Sequence, residues 1–267
     1  MAEIIAGGVR FHVQRLTPRH RLRQPEHPVV FIHGLGMDNL SSFYYTLANP
    51  VAHAGAEVIL YDLRGHGLSE RPRTGYQVRD SVADLVGLLD ALAIEGPVHL
   101  VGNSYGGIVA LDFAVTHPDR VASMVLIEAH FNVAGWAEQI AAEQSRMEIA
   151  FGTNAASDWL HQLGRKVTRL VEMADDLLNR TTFLADLTTV QPIPMSRLRN
   201  LRCPVRAVYG EHSDVVGYAR KLNEYLPHCE LTVLAGCGHS VLMDATSALR
   251  EIVLDWFAAQ IIPLGFQ

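Results

Sequence analysis

The sequence predicts an α/β protein built on a mostly parallel sheet, and three observations predict it. Short apolar runs rich in β-branched residues recur at Val29 to Ile32, Val58 to Tyr61, Val98 to Gly102, Ala122 to Ile127 and Val205 to Gly210. Segments of helical period separate most of them, which is the alternation of parallel strands and crossover helices. The chain has 267 residues, 49% of them hydrophobic, enough to bury one large core.

Each element follows from its local pattern. Ile4 to Ile5 and Val9 to Leu16 flank Gly7-Gly8, which reads as a hairpin with a tight glycine turn and hence an antiparallel edge. The run from Val29 ends in His33-Gly34, a strand delivering a loop. Val78, Val82, Leu85, Val86, Leu89 and Leu92 fall on one face of a helix. Leu249, Ile252, Val253, Trp256 and Phe257 do the same near the end, after a last apolar run at Leu231 to Leu234. Between about Phe131 and Asn200 the strand signal is absent and the pattern is helical, as at Trp159, Leu163, Val167, Leu170, Leu177 and Leu178. A long loop without structure is uncommon, so residues 131–200 are expected to form a helical cap over a core made of residues 1–130 and 201–267. Its large apolar residues Met147, Ile149, Phe151, Trp159, Phe183 and Leu184 suggest an apolar lining.

Composition removes several function classes. The net charge is −6 with no run of like charge, so no basic stripe is available for phosphates and no nucleic-acid partner is expected. No apolar run reaches the roughly 18 residues that span a bilayer, and the first residues carry no basic then apolar leader pattern. A cytoplasmic protein without a membrane partner is the expectation. The three cysteines, Cys203, Cys229 and Cys237, show neither disulfide nor metal-ligand spacing and read as buried, inert thiols.

The chemistry concentrates in Gly102-Asn103-Ser104-Tyr105-Gly106-Gly107, placed between an apolar strand and a helical pattern. In that context G-x-S-x-G presents its serine on a sharp strand-to-helix turn, with small residues on either side so that strand and helix can approach. The helix N-terminus also offers free N–H groups to a developing oxyanion. With His33-Gly34-Leu35-Gly36 and the turn Asp62-Leu63-Arg64-Gly65-His66-Gly67-Leu68-Ser69, this segment resembles the α/β-hydrolase superfamily in its serine-nucleophile, esterase- and thioesterase-like branch. The likeness extends over nearly the whole chain. It implies the α/β-hydrolase fold, an oxyanion hole made by the backbone N–H groups of Leu35 and Tyr105, and a structural role for the Asp62 to Ser69 turn, with His66 a turn residue rather than a base.

A serine hydroxyl needs a base. Of thirteen histidines, His239 stands in Gly236-Cys237-Gly238-His239-Ser240, after the last apolar run and before the last helix, where the family places its catalytic histidine. For the acid, the order Ser, Asp, His favours Asp214 in Gly210-Glu211-His212-Ser213-Asp214, although this spacing is one residue longer than the commoner G-x-x-D form. Glu128, at the end of Met124 to Ile127, is the alternative acid, and Glu211 reads as a solvated turn residue. Such a triad needs no cofactor or metal. The expected reaction is hydrolysis of an ester or thioester of a hydrophobic acyl substrate through an acyl-enzyme on Ser104. Carbon–carbon bond hydrolysis, suggested by Asn103 before the serine, or lactone hydrolysis is the alternative. A non-catalytic ligand-binding protein on the same fold is the alternative of another class. The oligomeric state is not legible.

Overall fold

The computed structural model describes residues 2–18, 27–129, 165–189, 193–226 and 228–260. Strands β1 (Ala2–Ala6) and β2 (Val9–Leu16) form the expected hairpin, paired Ala6 to Val9. Gly7 and Gly8 both hold positive φ, 56° and 80°, as a two-residue turn matched to strand twist requires. Then follow β3 (Val29–Ile32), a helical stretch over residues 41–53, β4 (Val58–Tyr61), α1 (Val78–Ala91), β5 (Val98–Asn103), α2 (Tyr105–Thr116) and β6 (Val121–Ile127). After the insertion come β7 (Val205–Gly210) and β8 (Cys229–Leu234).

The eight strands lie in the order β1-β2-β4-β3-β5-β6-β7-β8. The pairs β1 with β2 and β2 with β4 are antiparallel, and every other pair is parallel. Every residue of β3 and β4 is buried, the signature of strands covered on both faces. One face packs under α1 and α2 through Leu85, Leu89, Ile108 and Phe113. The other packs under the 41–53 stretch and the C-terminal helix through Phe43, Leu47, Leu249 and Val253. Because β3 to β8 all run the same way, their carboxyl ends deliver all the singled-out loops to one edge, where α/β sheets bind ligands.

Three helices of the insertion are described: α3 (Arg165–Arg180), α4 (Phe183–Thr188) and α5 (Met195–Arg199). Leu177 packs so closely on Gly65 that a Cβ there would meet its Cδ1 at 2.6 Å. Phe183 sets its ring edge-on to His66 and Tyr76, at centroid distances of 6.0 and 5.7 Å. Asp186 accepts the Tyr76 backbone N–H at 2.9 Å, tying α4 to the loop after β4. The cap boundaries, and the side chains of Met147, Ile149, Phe151, Trp159 and Leu163, fall largely outside the described residues. Two more helices, α6 (Val216–Tyr225) and α7 (Val241–Asp244), precede the C-terminal α8 (Thr246–Gln260). No helix among the described residues is long and apolar enough to cross a membrane.

Candidate active site

Ser104 links β5 to α2 in strained backbone, with φ 51° and ψ −114°. A non-glycine residue rarely adopts a positive φ, and the surroundings hold it there. Ser104 donates its backbone N–H to the Ile127 carbonyl at 2.8 Å, which pins the turn to β6. The glycines are needed for a close approach: a Cβ on Gly106 would lie 2.0 Å from the Ile32 carbonyl oxygen, and one on Gly102 would lie 2.5 Å from that of Gly106. The Tyr105 side chain turns away into the core, its phenol 3.1 Å from Ser81 Oγ and pushed up to about 12 by burial.

The loop after β3 passes directly beside the serine, since a Cβ on Gly34 would stand 3.5 Å from Ser104 Cβ. Leu35 is fixed from both sides. The N–H of Gly34 is held by Asp38 Oδ2 at 2.7 Å, and the N–H of Gly36 by His66 Nε2 at 3.1 Å. His66 Nδ1 donates to the Arg64 carbonyl at 2.9 Å, which sets the neutral tautomer. Burial, and secondarily His33, lowers this imidazole to about 3, so it stays an acceptor through the neutral range. Sequence reasoning placed His66 in a turn. It did not show that the ring braces the neighbouring loop, nor that Asp38, four residues after Gly34, braces its start.

The His239 loop docks on the end of β7. Gly210 makes room, because a Cβ there would meet the Gly238 carbonyl oxygen at 2.3 Å, and His212 donates its backbone N–H to Cys237 at 2.8 Å. Glu211 is exposed, as a turn residue should be, yet it accepts the Gly236 N–H at 3.0 Å. His239 Nε2 thereby lies 3.3 Å from Ser104 Oγ. On the other side of the ring, Nδ1 faces two carboxylates, Glu128 Oε2 at 3.2 Å and Asp214 Oδ1 at 3.4 Å. The Glu128 side chain is 0% exposed and that of Asp214 is 48% exposed. Glu128 also accepts the Gly210 N–H at 2.5 Å and the Ser213 hydroxyl at 2.5 Å. Both acids named from sequence are therefore at the histidine, and Ser213, buried between them, is a member that chain order did not reveal. The three thiols are half-buried rather than buried; burial pushes Cys203 and Cys229 up to about 11, which keeps them protonated.

A serine at a strained strand-to-helix turn, a histidine within reach of its hydroxyl and a braced loop alongside are an arrangement for nucleophilic attack on a carbonyl. Residues 29–252 match the Alpha/beta hydrolase family. The chain belongs to that family. This α/β hydrolase is 27% identical, over 96% of both chains, to the 2-hydroxy-6-oxo-2,4-heptadienoate hydrolase of Pseudomonas putida. It is 28% identical to the 2-hydroxymuconate semialdehyde hydrolase of a Pseudomonas species, covering 96% of this chain and 93% of that one. Among solved structures it is similar to an enol-lactonase from Burkholderia xenovorans, with a TM-score of 0.72 at 19% identity over 97% of this chain and all of that one. A structure from work on carboxylesterases of Nitrososphaera gargenis matches with a TM-score of 0.75 at 23% identity, over 97% of this chain and 98% of that one. These two structural likenesses speak to the fold.

Proposed function

We propose that this α/β hydrolase is a serine hydrolase that cleaves an ester or thioester of a hydrophobic acyl substrate. The observation that carries the reading is the 3.3 Å approach of His239 Nε2 to the hydroxyl of a serine held at φ 51°. Ser104 Oγ attacks the carbonyl carbon while its proton passes to His239 Nε2. The resulting oxyanion is held by the backbone N–H groups of Leu35 and Tyr105, an interaction type whose loss elsewhere costs about 2.7–4 kcal/mol of barrier. Collapse expels the leaving group, which takes the proton from Nε2, and a water deprotonated by the same imidazole then releases the acid from Ser104. Each bond change is balanced by the serine, the histidine and water, so the reaction calls for no cofactor. The large apolar residues of the insertion, Met147, Ile149, Phe151, Trp159, Phe183 and Leu184, support a preference for medium acyl chains over acetyl.

Hydrolysis of a carbon–carbon bond next to a ketone is the second reading. It is favoured by Asn103 before the nucleophile and by the two Pseudomonas relatives, whose names describe oxo-dienoate and semialdehyde hydrolases. Fluorophosphonate labelling of Ser104, with turnover measured across p-nitrophenyl esters of two to eight carbons, acyl thioesters, lactones and a vinylogous 1,5-diketo acid, separates the readings. Esterase or thioesterase turnover that rises with chain length is expected, and it disappears in Ser104→Ala. Rapid turnover of the diketo acid alone would favour the second reading, and a chain that neither labels nor turns over would be a binding protein.

A further inference from the structure

The hydrogen bonds at the histidine carry one step more, which rests on the serine-hydrolase reading above. We infer that the carboxylate orienting His239 is Glu128 at the end of β6, that Ser213 has taken the place where the commoner spacing puts the acid, and that Asp214 is a peripheral charge.

Distance alone does not separate Glu128 from Asp214, at 3.2 and 3.4 Å from Nδ1. Environment does. Glu128 is wholly buried, and a hydrogen bond between a charged pair strengthens as solvent is excluded; Asp214 is half in water, where its attraction for an imidazolium is screened. A buried carboxylate is also costly unless its oxygens are met by donors. Those of Glu128 are met by Gly210 N–H on Oε1 and Ser213 Oγ–H on Oε2, and His239 Nδ1 stands 3.2 Å from the same Oε2. The strand register explains why the end of β6 can do this work. Ile127 pairs with Val208, and Glu128 donates its own N–H to the Val208 carbonyl at 3.0 Å, so its side chain starts beside the end of β7. Glu128 itself sits at φ 48°, a second strained non-glycine residue at this edge besides Ser104.

Ser213 stands three residues after Gly210, the acid's position in the commoner G-x-x-D spacing. Its side chain is buried and its Oγ lies 3.5 Å from His239 Nδ1, close to where an aspartate would make the same contact. A serine there supplies no charge. It donates instead to the carboxylate that does, and so fixes Oε2 at the imidazole. Asp214, one residue later, keeps Oδ1 3.4 Å from Nδ1, but its side chain is 48% exposed. Glu128 and Ser213 act through His239, so both are positioning residues. The alternative role for Glu128, a structural tie between β6 and the β7 loop, would survive loss of the charge.

The test is kinetic, on the full-length enzyme with an ester that the wild type turns over. Glu128→Gln keeps an oxygen for the Gly210 N–H and is expected to lose about 10³-fold or more in kcat with little change in KM, in line with losses seen when a triad carboxylate is neutralised. Ser213→Ala should lose roughly tenfold in kcat, and Asp214→Asn less than about fivefold. The deciding variant combines Glu128→Gln with Ser213→Asp, which returns a carboxylate to the commoner position and should recover at least tenfold of the lost kcat; a structural tie offers no such rescue. If Asp214→Asn loses decades, or if the combined variant recovers nothing while retaining the melting temperature of Glu128→Gln, the inference is overturned. Should Glu128→Gln fail to fold, Asp214→Asn decides alone, near-wild-type kcat supporting the assignment and a loss of decades overturning it. Turnover persisting in Ser104→Ala would instead overturn the serine-hydrolase reading.

Discussion

His66 Nε2 accepts the backbone N–H of Gly36 across 3.1 Å, so a side chain from the turn after β4 holds the loop that runs beside Ser104. The ring is in turn bonded to Arg64 and packed edge-on against Phe183 of α4. The loop, the turn and the insertion are thereby linked through one imidazole. His66→Leu removes the acceptor and leaves the Gly36 N–H without its partner, at a cost of about 1–3 kcal/mol in stability. Because Leu35 lies between the two clamped residues, kcat should fall roughly tenfold with KM nearly unchanged. Steady-state kinetics and thermal melts of His66→Leu and His66→Gln check this, the glutamine being expected to recover part of both.

The same ring makes the fold sensitive to acid. Burial lowers His66 to about 3 and His99 to about 4, against an ordinary value of 6.5. Between those values and 6.5 the unfolded chain binds protons that the native chain refuses. Stability is therefore fully present above about pH 6.5 and falls as pH drops toward 4. Each group contributes a slope of up to about 1.4 kcal/mol per pH unit in that window. The melting temperature should fall steadily from pH 7 to pH 5, and His99→Gln, which keeps an amide facing the Ser123 hydroxyl, should flatten part of the decline. A pH-independent melting temperature over this range would contradict the burial of both rings.

What could be read in the sequence was what local pattern decides. Strands covered on both faces must be continuously apolar, so β3 to β7 announced themselves, and Gly7-Gly8 specified a turn that admits positive φ at both positions. The Ser104 elbow was legible because its glycines serve contacts within the motif and with adjacent β3. The sequence named both carboxylates that stand at His239, but not what distinguishes them, because burial is set by the register of β6 against β7, which chain order does not encode. The bracing role of His66 was opaque for the same reason, since it acts on a backbone N–H 30 residues away, whereas Asp38 acts within its own loop on Gly34, a contact that no local motif marks.

Gly106 tests the elbow's packing. The nearest atoms to a Cβ at this position are backbone atoms of Ile32 and His33, the closest at 2.0 Å, and a central strand cannot yield that far. Gly106→Ala is expected to destabilise by about 3 kcal/mol or more and to lower the melting temperature on the order of 10 °C. Gly217→Ala, in a helix with open space around it, is the control and should be neutral or mildly stabilising.

Arg64 and Asp84 tie the turn after β4 to α1 by two parallel hydrogen bonds, with the aspartate side chain only 2% exposed. Arg64→Met leaves that carboxylate buried without its partner and should cost about 3–5 kcal/mol. Replacing both charges, in Arg64→Met with Asp84→Leu, removes the stranded charge along with the bond. The double variant should be more stable in urea than Arg64→Met alone, and a double variant no better than the sum of the singles would show that geometry rather than charge dominates here.

The last prediction concerns which substrates the site accepts. Asp38 places Oδ2 on the Gly34 N–H, 3.5 Å from the Asn103 amide nitrogen, and a Cβ on Gly34 would lie 3.1 Å from that oxygen and 3.5 Å from Ser104 Cβ. A carboxylate thus stands within one residue's width of the nucleophile, on the loop that lines it. Its structural duty, accepting the Gly34 N–H, needs only an oxygen, which asparagine retains. Its charge opposes any second anion brought to the serine. At about 7 Å in a partly exposed site that repulsion is worth on the order of 1 kcal/mol, roughly fivefold in affinity or rate. Asp38→Asn should therefore raise kcat/KM for an ester bearing a free carboxylate near the scissile carbonyl by roughly fivefold relative to a neutral ester of the same length. A purely structural effect would lower both substrates together and leave their ratio unchanged.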